Sequence, residues 1–227
     1  MNSTEKQLYE YELSAGSIQG TINYFWSTAC GGRGIDWSTE SGITIYRIYI
    51  DGETTASLEF TPRMAVGLGF PPNGVQPITG PSLQEPWGTD LLGKASDLDG
   101  YFLKFKIPFY KKFVLTAQLP AGVAGFNVYT IIRGFESNSK GQPGLSIPGY
   151  GPLPLGTRLH LYRNEAIVVP SLAFIPIVNI TVGEGLIFAH AVSVQGHPTL
   201  FFLEVLSYHC IYYPCMTIFC RFMSLNS

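Results

Sequence analysis

Short extended runs, not helical stripes, organise this chain. Apolar residues alternate with polar ones or gather in brief blocks, and Gly, Pro, Asn and Asp punctuate them. The runs are GTINYFW, ITIYRIYI, ASLEF, YFLKFKIPF, KFVLTAQL, FNVYTIIRG, RLHLYRN, AIVVPSLAF, GLIFAHAVSV and TLFFLEVLS. Helical periodicity is almost absent. The pattern predicts an all-β fold, an antiparallel jelly-roll-like β-sandwich of about ten strands with long loops.

The stretch ITIYRIYIDGETTASLEF, residues 43 to 60, carries this pattern most clearly. Asp51-Gly52 predicts a tight two-residue hairpin turn, because both positions of such a turn need positive φ. On the strand before it, Thr44, Tyr46, Ile48 and Ile50 share one face; Ile43, Ile45, Arg47 and Tyr49 share the other. Two long loops are expected, from Pro71 to Gly100 and over ESNSKGQPGLSIPGYGPLPLG. Loops of that length inside a compact domain are often functional. One domain over residues 13–208 is expected, followed by an atypical tail over 209–227.

Composition narrows the function. Of 227 residues, 46% are apolar, 14% aromatic and only 13% charged, which favours an ordered, sheet-rich protein over a disordered one. A net charge of −2 supplies no basic footprint, so no nucleic-acid partner is expected. The apolar run AIVVPSLAFIPIV is interrupted by Pro170 and Pro176 and is too short to span a bilayer, so no membrane partner is expected either. The polar start MNSTEKQLYEYELSAGS has no apolar h-region and reads as no signal peptide; a chain beginning further upstream would leave secretion open. The sequons at Asn2 and Asn179 would matter only in a secreted protein.

Few residues carry recognisable chemistry. His209, Cys210, Cys215 and Cys220 lack the close cysteine pairs of a structural zinc site, so neither metal nor cofactor is expected. No Gly-x-Ser-x-Gly elbow and no phosphate-binding loop occur. Acids are scarce, and Glu204 stands out in TLFFLEVLSYH: buried there, its raised pKa would suit proton donation; at an edge it would be a solvated glutamate. Asp51 and Glu53 taken by themselves read as a turn acid and a solvated strand charge.

YRIYIDGETTASLEF resembles the arginine, aromatic and Asp-Gly-Glu signature of the domain family numbered 2961, also classed as glycoside hydrolase family 172. The resemblance continues through GSIQGTINYFWSTA, FTPRMAVGLGF, GYFLKFKIPFYKKFVLTAQ and GLIFAHAVSV to TLFFLEV, roughly Leu13 to Tyr208. It implies a carbohydrate-directed jelly roll, a homo-oligomer, and fructose- or arabinose-containing glycans as substrates. It places Glu204 at the first catalytic glutamate, with Val205 where the family has glycine. Arg47, Asp51 and Glu53 become substrate-binding candidates through it. The family's second catalytic glutamate has no counterpart, because no Asp or Glu follows Glu204. Glycoside hydrolysis uses two carboxyl groups, so the chain as written is expected to resemble the first half of such an enzyme and to be inactive in this form. The alternative is a non-catalytic glycan-binding or assembly module, in which Trp87 offers a stacking surface and Asp90 and Asp97 accept hydroxyls.

Overall fold

A computed structural model describes residues 4–30, 42–66, 87–95, 100–123, 127–137, 146–147, 151–152, 155–163, 174–178 and 218–221. The chain forms two compact units, Met1–Leu161 and Tyr162–Ser227. The first unit is built from two antiparallel sheets with almost no helix, an all-β sandwich.

The first sheet has the order β1-β9-β3-β4, where β1 is Lys6–Glu12, β3 Ile45–Ile50, β4 Leu58–Phe60 and β9 Lys112–Gln118. The second has the order β10-β2-β7-β6-β5, with β2 Gln19–Cys30, β5 Trp87–Gly88, β6 Leu92–Lys94, β7 Tyr101–Leu103 and β10 Asn127–Ser137. Strand β8 (Ile107–Phe109) pairs with the first part of β2, Gly20 to Ile22, while β7 pairs with its middle, Phe25 to Ser27. A short helix, α1 (Pro62–Ala65), follows β4 and is capped by the Thr61 side chain. Short pairs β11 (Ser146–Ile147) with β12 (Gly151–Pro152), and β13 (Phe174–Val178) with β14 (Ile218–Arg221), complete the described strands. Among the described residues no helix is long and apolar enough to cross a membrane.

The period-2 reading of β3 is the one the fold uses. Tyr46, Ile48 and Ile50 are essentially fully buried, whereas Ile45, Arg47 and Tyr49 alternate with them on a partly exposed face. Their buried face meets Phe113, Leu115 and Ala117 of β9 and Leu58 and Phe60 of β4, and across the sandwich Phe25, Tyr101, Leu103 and Phe109. Phe25 stands edge-on to both Tyr46 and Phe60, at 5.0 and 5.5 Å between ring centres. The Tyr46 hydroxyl bonds Ser27 of the opposite sheet, so its polar tip is satisfied. Burial pushes its phenol up to about 12, against the pull of that bond, and keeps it neutral.

Several sequence expectations are revised. Asp51 and Gly52 do adopt positive φ (57° and 85°), closed by the Glu53 N–H on the Ile50 carbonyl at 3.1 Å. Yet the turn does not hand the chain straight to β4: Ile48 pairs with Leu58, leaving a nine-residue connection between them. YFLKFKIPF is two strands, because β7 and β8 pair with different parts of β2. Part of the first expected loop is strand, since β5 pairs with β6 inside it. β1 arises from KQLYEYE, a run the pattern did not mark. RLHLYRN forms no strand over its described part, 158–163.

Candidate functional site

The charged residues of the β3 region fall into two separate networks. On the outer face of the first sheet, Arg47 Nε donates to Glu59 at 2.5 Å, and its Nη1 donates to Glu5 at 3.0 Å and Gln118 at 2.7 Å. The register explains this: Arg47 lies opposite Glu59 on β4 and Thr116 on β9. Glu5 also accepts from Thr116 (2.5 Å) and Tyr49 (2.9 Å). The Thr116 bond above all, with help from Tyr49 and Arg47, holds the Glu5 carboxyl below the usual range despite some burial.

Asp51 and Glu53 belong to the second network. Asp51 Oδ1 accepts three consecutive backbone N–H groups, Tyr110 (2.8 Å), Lys111 (2.6 Å) and Lys112 (3.2 Å). Its Oδ2 accepts from Arg158 Nη2 at 2.9 Å, while Arg158 Nη1 reaches Glu53 at 2.6 Å. Ser57 bonds the other Glu53 oxygen. The Tyr110 hydroxyl accepts from the Gly156 N–H at 2.8 Å, so the segment 155–158 is strapped to the β8–β9 turn. Arg158 is the member of this clamp the sequence reading did not single out. The two networks share no residue. Both commit their carboxylates to the protein itself, and the 6% exposure of the Asp51 side chain leaves little of it for a ligand.

The other candidates lie elsewhere. Trp87 is in β5, its backbone opposite Lys94, and Asp90 is exposed in the connection to β6. The structure therefore places these two in the second sheet, apart from Arg47, Asp51 and Glu53 in the first. Glu204 and Asp97 lie outside the described residues.

The outer face of the second sheet has a different character. Because Phe25 and Ser27 point inward, Tyr24, Trp26 and Thr28 of β2 point outward, partly exposed. Tyr101 and Leu103 are buried, so Phe102 also points outward. The register puts Ile131, Trp26, Phe102 and Gly93 in one row across β10, β2, β7 and β6. Beside that row stand Tyr129 and Phe135, both exposed. Two cations flank it: Arg133 lies over the Tyr24 ring and Lys104 over the Phe102 ring, each 5.3 Å from the ring centre. The Trp26 indole closes down on Gly100, where an added Cβ would meet Nε1 at 2.4 Å. This is an aromatic platform with donors at its rim. Tyr24, Trp26, Phe102, Lys104, Tyr129, Ile131 and Arg133 sit in runs read as strands, but the sequence does not say which face each strand turns outward.

Such a surface can stack flat apolar faces and donate hydrogen bonds at their edges. Among the described residues no group of three His, Cys, Asp or Glu could hold a metal. Compared with protein-family models and with curated proteins, the chain matches none.

Proposed function

We propose that this chain is a carbohydrate-directed protein of jelly-roll type that binds glycans on the outer aromatic face of its second sheet. The observation that carries the reading is the Trp26–Phe102 row with Arg133 and Lys104 at its flanks. Sugar rings present C–H faces that stack on aromatic rings, and their hydroxyls take hydrogen bonds from neighbouring cations and amides. The resemblance of YRIYIDGETTASLEF to glycoside hydrolase family 172 supports the same class of ligand and directs the choice towards fructose- and arabinose-containing glycans. In this reading Glu204 is the one acid of the family's pair in the chain, and binding is the function of the unit over residues 1–161.

The test is a tryptophan-fluorescence titration with fructan and arabinan oligosaccharides. Stacking worth about 1.4 kcal/mol corresponds to a tenfold change in affinity, so Trp26→Ala and Phe102→Ala should each weaken binding by roughly that factor. Binding that is unchanged in both variants, or absent with every glycan, overturns the assignment. Glu204→Gln should leave binding intact and remove any hydrolysis that the parent shows.

A second reading rests on β10. Among the described residues this eleven-residue strand ends its sheet, with Tyr129, Ile131 and Phe135 exposed along it. A long apolar edge invites pairing with another copy. Sedimentation distinguishes the two readings: an assembly surface predicts an oligomer that Phe135→Lys dissociates, with no change on adding glycan.

A further inference from the structure

Arg63 is an anomaly that neither the fold nor the glycan reading uses. It sits in α1 with only 3% of its surface exposed, and among the described residues its buried Nε has no hydrogen-bond partner. Most described acids are engaged elsewhere: Glu5 and Glu59 with Arg47, Glu10 and Glu12 with Lys112, and Asp51 and Glu53 with Arg158. Glu136 is held by Tyr11, Ser14 and Ser17, and Asp90 is exposed. Burying a guanidinium N–H without an acceptor is costly. A buried donor left open calls for a physical reason, and an absent ligand is one.

The surroundings favour an anion. Helix α1 packs against β7, the strand of Tyr101. Gly42 lies against both groups: an added Cβ there would meet Arg63 Cγ and the Tyr101 hydroxyl at 2.7 Å each, and Arg63 Nε at 3.1 Å. The missing side chain is what lets the phenol and the guanidinium share this space. Tyr101 is 1% exposed and lies directly opposite Lys94, itself 2% exposed, so both side chains point into the sandwich. The Lys94 ammonium donates to the Ala95 carbonyl oxygen at 3.2 Å and adds a second buried cation. Phe102 of the aromatic platform faces the opposite way, so this site is separate from the glycan-binding face.

We propose that Arg63, beside Tyr101, receives an oxyanion, a carboxylate or phosphate group of a small ligand. A guanidinium offers a planar fork of donors that matches two oxygens of either group. The carboxylate of a sugar acid and free phosphate share this chemistry, and the experiment separates them.

Thermal unfolding of the full chain is followed against inorganic phosphate, against glucuronate, and against sodium chloride at matched ionic strength, with glucose as the neutral control. A saturable rise in Tm with phosphate or with glucuronate, beyond the chloride control, is expected, and which one acts names the source. Arg63→Met should weaken the response at least tenfold, while Arg63→Lys should retain part of it. Should Arg63→Met fail to fold, the Nε–H resonance of Arg63 in the parent protein decides, since it must shift on titration with the active anion. No saturable response in the parent, an unshifted Nε–H, or an equal response in Arg63→Met overturns the proposal.

Discussion

The two outer faces of the sandwich solve opposite problems. The first sheet turns out Arg47, Glu59, Thr116, Gln118 and Tyr49, and closes them into a network with Glu5. The second turns out Tyr24, Trp26, Phe102, Tyr129, Ile131 and Phe135, with Arg133 and Lys104 laid over two of the rings. On the first face the polar groups satisfy one another, so a ligand would have to break bonds to enter. On the second the rings are partly exposed, and Tyr129, Ile131 and Phe135 are exposed. A row of charges is therefore a weaker sign of a binding surface than a row of half-exposed rings, because charges near each other find partners within the protein.

The largest test of this contrast is in the clamp at the edge of the charged sheet. Asp51→Ala removes the acceptor of three backbone N–H groups and of Arg158 while leaving those donors in place. A loss of about 3 kcal/mol is expected in denaturant unfolding, since each donor left unsatisfied costs about 1–3 kcal/mol and part of the loss is recovered by water. Asp51→Asn tolerates the same positive φ and keeps one acceptor, so it should lose about half as much. Equal stability of Asp51→Ala and the parent would show that the network does not hold this end of the fold.

Gly100→Ala is the next in size and acts on the aromatic face. The new methyl would overlap Trp26, at 2.4 Å from Nε1 and 2.9 Å from Cε2, so the indole must move. Overpacking of this kind costs about 1–3 kcal/mol, and the Trp26 fluorescence maximum should shift with it. Glycan affinity should fall alongside; a displaced indole with unchanged affinity would take Trp26 out of the binding surface.

What the sequence makes legible follows from what each pattern depends on. Alternation in β3 is a local property, and Tyr46, Ile48 and Ile50 are buried as it predicts. The positive φ of Asp51 and Gly52 is also local. β1 is an edge strand whose burial is slight throughout, so KQLYEYE carries no apolar period; only its register with β9 makes it a strand. RLHLYRN has the alternation but, over its described part, no strand, and Arg158 within it pairs with Asp51 and Glu53. In NVYTIIRGFES both faces hold apolar residues, so the sequence cannot say which side meets the core. The platform was hidden for that reason, and Arg63 for another: a burial without a partner is visible only in three dimensions.

Arg47→Met is expected to cost about 1 kcal/mol, because its partners are partly exposed and water can replace it. Thermal unfolding at low and high salt checks this: the gap to the parent should narrow as salt screens the pairs. A gap that does not respond to salt would mean that Arg47 acts through the packing of its stem on Tyr49 and Glu59 rather than through charge.

The smallest effect is confined to acid and concerns Glu136, where the two sheets meet at their edges. Glu136 on β10 accepts from Tyr11 on β1 at 2.6 Å, from the Ser14 N–H at 2.9 Å and from Ser17 at 2.7 Å. The Tyr11 bond first, then the Ser14 and Ser17 bonds, lower its carboxyl from 4.5 to about 2. The folded value lies below the unfolded one, so the ionised group stabilises the fold fully above about pH 4.5 and loses that contribution as pH falls towards 2. Glu136→Gln cannot titrate. The stability gap between parent and variant should thus be constant from pH 7 down to about 4.5 and shrink steadily below it. Acid unfolding followed by circular dichroism reads this directly. A gap that stays constant down to pH 2 would mean that Tyr11, Ser14 and Ser17 hold Glu136 no more tightly than water does, and the link between β1 and β10 would then rest on packing.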